Sequence, residues 1–251
     1  GTALRLFREV RERNSSLPEV DIEIGRVFEA EGELSLALAQ YERAYERRTL
    51  LTVPEDAIDL LYRMAHIRRQ REEYLQYEQL LQTVVEQTAP DYPQPPAELE
   101  DSLYRIVTTE GLDKLLELYR LPDHGAQRAH FLLAEVLLYE GRRAIEAARS
   151  ATFSVIMTLT EIVSFARYID PEYEFTTVED LLETTDRFER VRQYRSDTAL
   201  FEQLYVLGHA LYTAQRFGTA EEIRSLLVRV DPGGRAGIRA ARGYPDRKSV
   251  V

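Results

Sequence analysis

The sequence predicts an all-α fold built of antiparallel helix pairs, and three observations carry that expectation. Long segments repeat apolar residues with the three- and four-residue spacing of an amphipathic helix. Only 12 Gly and 10 Pro punctuate the 251 residues, and the prolines fall mostly between those segments, which favours long helices over many short strands. Turn signals also recur: Pro18, Pro54 and Pro90 are spaced 36 residues apart, and Glu31-Gly32, Glu110-Gly111 and Glu140-Gly141 each separate two amphipathic segments. Gly at such a point suits the left-handed residue that ends one helix before the next turns back. About 11–12 helices are expected from this pattern.

Taken in order, the first pair opens at Pro18 and carries Ile24-Gly25, Phe28, Gly32, Leu34, Ala37, Tyr41 and Ala44. A second pair is expected near 54–70 and 72–88, with Tyr62 or Ala65 where a close-packing Gly would stand. A third, 97–109 and 112–120, keeps Leu103, Val107 and Gly111 but has a short second helix. The pair opening at Gln127 keeps Leu133-Ala134, Leu137 and Gly141 and runs into one long helix, 142–169. Its apolar stripe is Ala144, Ala148, Ala151, Val155, Leu159, Ile162, Ala166 and Ile169. Phe153, Val155, Met157 and Leu159 also alternate with Ser and Thr as a strand would, but no other segment offers a strand to pair with. Thr176 followed by Glu179 has the form of a capping box, opening an inserted helix through about Tyr194. The last pair carries Leu204, Leu207-Gly208, Leu211-Tyr212, Phe217, Ala220, Leu227 and Asp231-Pro232.

The positions quoted for the first and last pairs resemble the Leu-Gly, aromatic, turn-Gly, Ala, aromatic and closing Asp-Pro pattern of the tetratricopeptide repeat. Small residues there let paired helices approach closely, while large ones fill the space between repeats. The resemblance covers most of 18–232 as architecture and about 70 residues at motif quality. It implies a right-handed superhelix of stacked pairs, an α-solenoid, over residues 1–232, with the long helix 142–169 and an inserted helix at 176–195. A basic Gly/Arg-rich tail, 233–251, follows it. That tail reads either as a segment docking on an acidic surface, the protein's own or a partner's, or as a partly helical or disordered terminus.

Composition narrows the functional classes. A net charge of −11 disfavours a general nucleic-acid binder, since duplex phosphates are repelled overall. The absence of cysteine removes disulfides, thiolate metal sites and cysteine nucleophiles. No apolar run reaches the roughly 18 residues expected of a bilayer span. The chain opens Gly1-Thr2 without Met or signal sequence, as expected of a trimmed protein, so cytoplasm and periplasm both stay open as compartments.

Catalytic and metal signatures are not found in the sequence. His66, His124, His130 and His209 contain no i, i+4 pair, and no phosphate-cradling or nucleophile-elbow motif occurs. Carboxylate pairs such as Glu29 with Glu33 and Glu179 with Glu183 read as solvated helix faces. The acidic run from Asp170 to Asp186, followed by Arg187, Arg190, Arg192 and Arg195, fits acid-first, base-last helix termini. The expectation is therefore no enzyme, no cofactor and no metal.

The family resemblance implies a binding groove lined by the first helix of each pair. Carried over by position, it gives Ile22, Arg26 and Glu29, then Arg128, Phe131, Glu135 and Tyr139, then Tyr205, His209 and Tyr212. Phe131, Tyr139, Tyr205, His209 and Tyr212 form either an exposed row of rigid anchors or rings buried against the inserted helices. The family's carboxylate clamp of Lys, Asn and Arg is matched only loosely, by Arg26 and Arg128, which disfavours a chaperone-type adaptor. The resemblance implies a scaffold or adaptor holding a helical or extended segment of another protein, in an envelope, secretion, pilus or flagellar assembly, with homo-oligomerisation left open. The alternative is a carrier or sensor of a small apolar ligand, with residues 142–169 walling an internal cavity.

Overall fold

The computed structural model of the protein describes residues 2–14, 17–88, 96–118, 126–139, 143–172 and 175–245. Pro90, the Glu140-Gly141 turn, His124, Arg247 and Lys248 lie outside these residues. All regular structure among the described residues is helical: fourteen α-helices and one 3₁₀ turn, more than the number expected. The chain divides into two compact units, residues 1–84 and 85–251.

The first unit holds α1 (Thr2–Arg13), α2 (Pro18–Ala30), α3 (Leu34–Glu46), the 3₁₀ turn Arg48–Leu50, α4 (Asp56–Gln70) and most of α5 (Tyr74–Thr88). Pro18 opens α2, where its missing N–H is no loss, and Glu19 and Asp21 complement the positive end of the helix. Leu4, Val20 and Ile24 bury together, flanked by Phe7, Val27 and Phe28. Asp21 is fully buried, and Arg11, Arg43 and Arg47 converge on its carboxylate, Arg11 at 3.5 Å and Arg43 at 3.9 Å. A buried charge persists only with such compensation.

Gly25 is a close-approach position. A Cβ there would lie 2.5 Å from the ring of Tyr41, which wedges between α2 and α3. The Tyr41 hydroxyl donates to Glu29 Oε2 at 2.6 Å, and Arg63 donates to the same oxygen at 3.2 Å. Burial first, and then the Glu29 carboxylate, push the Tyr41 phenol well above its ordinary range.

The turn from α2 to α3 closes by two backbone bonds, Glu33 N–H to the Phe28 carbonyl at 2.9 Å and Gly32 N–H to the Glu29 carbonyl at 3.1 Å, with Gly32 at φ +78°. The turn from α4 to α5 repeats this pattern on Arg68 and Arg69, with Glu72 at φ +58° in the left-handed place. Each is a Schellman closure, which satisfies carbonyls the helix end would orphan.

The second unit contains α6 (Pro96–Glu110), α7 (Leu115–Leu118), α8 (Ala126–Tyr139), α9 (Ala144–Ile169), α10 (Val178–Thr185), α11 (Glu189–Asp197), α12 (Leu200–Thr213), α13 (Phe217–Val230) and α14 (Arg235–Ala241). The expected long helix forms as α9, and it packs against α6, α7, α8, α10, α11 and α12. Every residue from Ser150 to Thr160 is buried. Contrary to the sequence expectation, α9 is by length and composition apolar enough to cross a membrane, with a mean hydropathy of 1.2 over 18 residues, 67 % of which are buried inside the protein. Glu161 falls in every 18-residue stretch of α9, so the helix is apolar on average without being an unbroken apolar run. Thr152 and Thr158 donate to the carbonyls of Ala148 and Ser154, so residues that break an apolar run add little polarity. Thr158 also meets Gln127 and Gln203, tying α8 and α12 to α9.

The inserted helix differs from the expected 176–195. Thr177, not Thr176, caps α10, its hydroxyl accepting from the Asp180 N–H at 3.0 Å. The helix breaks after Thr185, and Arg195 of α11 reaches back to the Asp186 carboxylate and, at 3.2 Å, to the Leu182 carbonyl. The acid-then-base sequence is thus a clasp across a helix break. The α12–α13 turn repeats the Schellman pattern of the first unit, with Arg216 N–H on the Leu211 carbonyl at 2.8 Å and Gln215 at φ +64°.

Candidate functional site

The C-terminal segment decides the character of α12. Asp231 fixes the corner after α13: its Oδ2 accepts the Gly237 N–H at 3.0 Å, and its carbonyl accepts the Gly234 N–H at 3.1 Å. That turns α14 back onto α12 and α13. Gly243, at φ +83°, then swings Tyr244 toward α12.

Tyr244 lands among the sequence-predicted residues. Its ring stacks parallel on His209 at 5.7 Å and lies 5.5 Å from Tyr205 and 5.7 Å from Tyr212. Arg239 places its guanidinium over the Tyr205 ring, 3.9 Å from the centroid, a close cation–π contact. The Tyr244 hydroxyl donates to the Ala220 carbonyl at 3.3 Å. Gly208 makes this possible, since a Cβ there would collide with the Tyr244 hydroxyl and lie 2.7 Å from its Cζ.

His209 is held below its ordinary value of 6.5. Burial is the largest cause, a hydrogen bond to the Pro245 carbonyl opposes it, and the Arg239 charge adds to the lowering. Burial likewise pushes the Tyr244 phenol well above its ordinary range. The site is therefore a half-buried aromatic seat that meets one backbone carbonyl, one ring and one cation.

Tyr205, His209 and Tyr212 therefore come together on one face of α12, but Tyr205 is only 3 % exposed, with Arg239 and Tyr244 of the tail against its ring. Tyr212 also meets Phe217 edge-on at 5.3 Å, and Phe217 is 56 % exposed at the margin of the seat. On α8, Arg128 and Tyr139 are exposed and Phe131 and Glu135 half-buried. In the first unit Arg26 is exposed and pairs with Glu23 at 2.5 Å, while Glu29 is engaged by Tyr41 and Arg63.

Two features escaped the sequence reading. One is Tyr244 itself, which lies in the irregular stretch beyond α14. The other is a cleft of about 690 Å³ between the α6–α7 turn, α10 and α13, bordered by Glu110, Asp113, Glu179, Glu221 and Glu222. Arg229 crosses it with two bonds to Glu179, 2.6 and 2.7 Å, which hold that carboxyl below its ordinary range. Leu112, Ile223 and Leu226 line it beside these carboxylates, and no residue of α9 does. His130 is buried 3.0 Å from Glu100 and 4.2 Å from the Phe153 ring, as interior packing.

No family model matches the chain. It is similar to an uncharacterized protein of Treponema pallidum (strain Nichols), with 25 % identity over 234 residues, covering 91 % of this chain and 61 % of that protein. The chain thus spans less than two thirds of the length of that relative.

Proposed function

We propose that this protein is a non-catalytic adaptor, a tetratricopeptide-like solenoid of helix pairs that holds a segment of a partner protein on α12. The single observation that carries this reading is that α12 already receives a peptide segment through Tyr205, Gly208 and His209. Rigid aromatic anchors with polar tips supply contact area at low entropic cost, and a glycine notch lets a ring approach the backbone. The recurring Schellman turns at Gly32, Glu72 and Gln215 support a repeated helix-pair unit. An envelope, secretion, pilus or flagellar assembly is the setting that the family resemblance suggests.

The test is site-specific photo-crosslinking in cells of the source organism. A benzoylphenylalanine replacing Phe217, at the margin of the seat, is expected to trap a discrete partner protein. The same probe at Arg190 on α11 is expected not to trap it, and His209→Ala is expected to reduce the adduct. Identical adducts from both probe positions, or none from Phe217, reject the adaptor reading.

A further inference from the structure

The last helix pair lacks a wedge that the first pair has. Tyr41 follows Gly25 by sixteen residues and fills the close approach it creates. Sixteen residues after Gly208 stands Arg224, whose guanidinium turns instead to Glu221 at 2.7 Å and to the Ala240 carbonyl at 3.4 Å. The notch at Gly208 is therefore filled from outside the pair, by Tyr244.

The way Tyr244 is held differs from the way Tyr41 is held. Tyr41 sits in mid-helix, fully buried, with a 2.6 Å hydrogen bond. Tyr244 sits in an irregular stretch beyond α14, half-buried, with a hydroxyl bond of 3.3 Å. Its remaining anchors are ring stacking on His209, the His209 bond to the Pro245 carbonyl and the Arg239 cation on Tyr205. The ring stacking and the carbonyl bond can be made equally by a separate chain, whereas Arg239 belongs to α14, which the Asp231 corner and the buried Ala236 and Ala240 hold in place.

The geometry points to residues 243–245 acting as an intramolecular pseudo-ligand, and to a partner segment of the same chemistry: a tyrosine that enters the Gly208 notch and stacks on His209, followed by a backbone carbonyl for the His209 ring. This inference rests on α12 being the docking face, and it names both the partner's chemistry and the regulation of that face. A tail tethered this closely competes at an effective concentration on the order of millimolar. Partner affinity is then reduced by the fraction of molecules whose seat is already filled, and a partner that binds expels Tyr244.

The test uses a fluorescein-labelled peptide with the sequence of residues 235–245 and the full chain, read by fluorescence anisotropy. Tyr244→Ala is expected to bind the peptide at least about tenfold more tightly than the parent. A peptide with its tyrosine replaced by alanine is expected to bind neither. A second measurement needs no variant: saturating peptide is expected to speed hydrogen exchange at Gly243 and Tyr244 of the parent while leaving α9 unchanged. Equal peptide affinity for parent and folded variant, or unchanged exchange in the parent at millimolar peptide, overturns the inference. Phe217 crosslinking separates the two levels. A partner trapped there despite a failed peptide test rejects tail mimicry alone, and failure of both rejects the adaptor reading with it.

Discussion

The phenol of Tyr244 is seated on the backbone of Gly208 as the ring of Tyr41 is seated on Gly25. In each case a residue without a side chain on α12 or α2 lets an aromatic ring fill the space that a Cβ would occupy. The two wedges reach the same kind of notch from different places in the chain, one from the paired helix and one from beyond it.

Gly208→Ala therefore acts through the tail. Its methyl collides with Tyr244, and Ile223 Cγ2 at 3.2 Å limits escape on the other side. Overpacking of this kind costs about 1–3 kcal/mol. Combining it with Tyr244→Ala is expected to cost less than the sum of the two single changes, because the ring that clashes is gone. Gly218→Ala on α13 is the control, since nothing lies within 4 Å of its added methyl, and it is expected to be neutral or stabilising by up to about 1 kcal/mol. Urea denaturation of the four variants measures all of these.

Tail docking weakens in acid. His209 has its pKa lowered in the docked state, so docking favours the neutral ring. The groups facing it are Tyr205, Tyr244, Arg239 and the Pro245 carbonyl, and none of these is a carboxylate that would reward protonation. The contribution is complete above the ordinary value of 6.5 and is lost as pH falls from there toward the lowered value. A proton NMR titration is expected to show the His209 midpoint below 6.5 in the parent and moved upward in Tyr244→Ala. An unmoved midpoint contradicts burial by the tail as its cause.

The first unit's wedge separates ring from hydroxyl. Tyr41→Phe keeps the ring on Gly25 and removes only the bond to Glu29, which retains Arg63. A loss of about 1 kcal/mol is expected, whereas Tyr41→Ala also empties the wedge and costs about 3–5 kcal/mol. A calorimetric melting series gives the comparison, and near-equal losses would assign the stabilisation to the hydroxyl instead.

Helix content and the long α9 were legible because periodicity over 26 residues is a strong local signal. Tyr205, His209 and Tyr212 share one face of α12 because their spacings of four and three residues are helical. Their cover was not legible, because Tyr244 is thirty-two residues or more along the chain and is placed by the Asp231 corner, a tertiary feature with no periodic trace. The break between α10 and α11 escaped for a related reason: Arg195 and Asp186 look like ordinary helix-end charges until the chain bends to join them. The turn at Glu72 was hidden by chemistry, since a glutamate stands where Gly32 marks the equivalent turn.

That last position yields a stabilising change. Glu72 adopts φ +58° in the Schellman turn between α4 and α5, a conformation that places an L-residue's Cβ against its own backbone. Its N–H and that of Glu73 already bond the Arg69 and Arg68 carbonyls, at 3.0 and 2.9 Å, so the turn does not depend on the glutamate side chain for closure. Glu72→Gly relieves the strain, partly offset by the greater freedom of glycine in the unfolded chain. A net gain of about 0.5–1 kcal/mol is expected, seen as a higher melting temperature in differential scanning calorimetry. Glu73→Gly, one residue on, is the contrast: it removes the carboxylate that pairs with Arg68 and with Arg71 at 2.8 Å and is expected to lower stability. If both glycines destabilise alike, the left-handed strain at residue 72 is not what limits this turn.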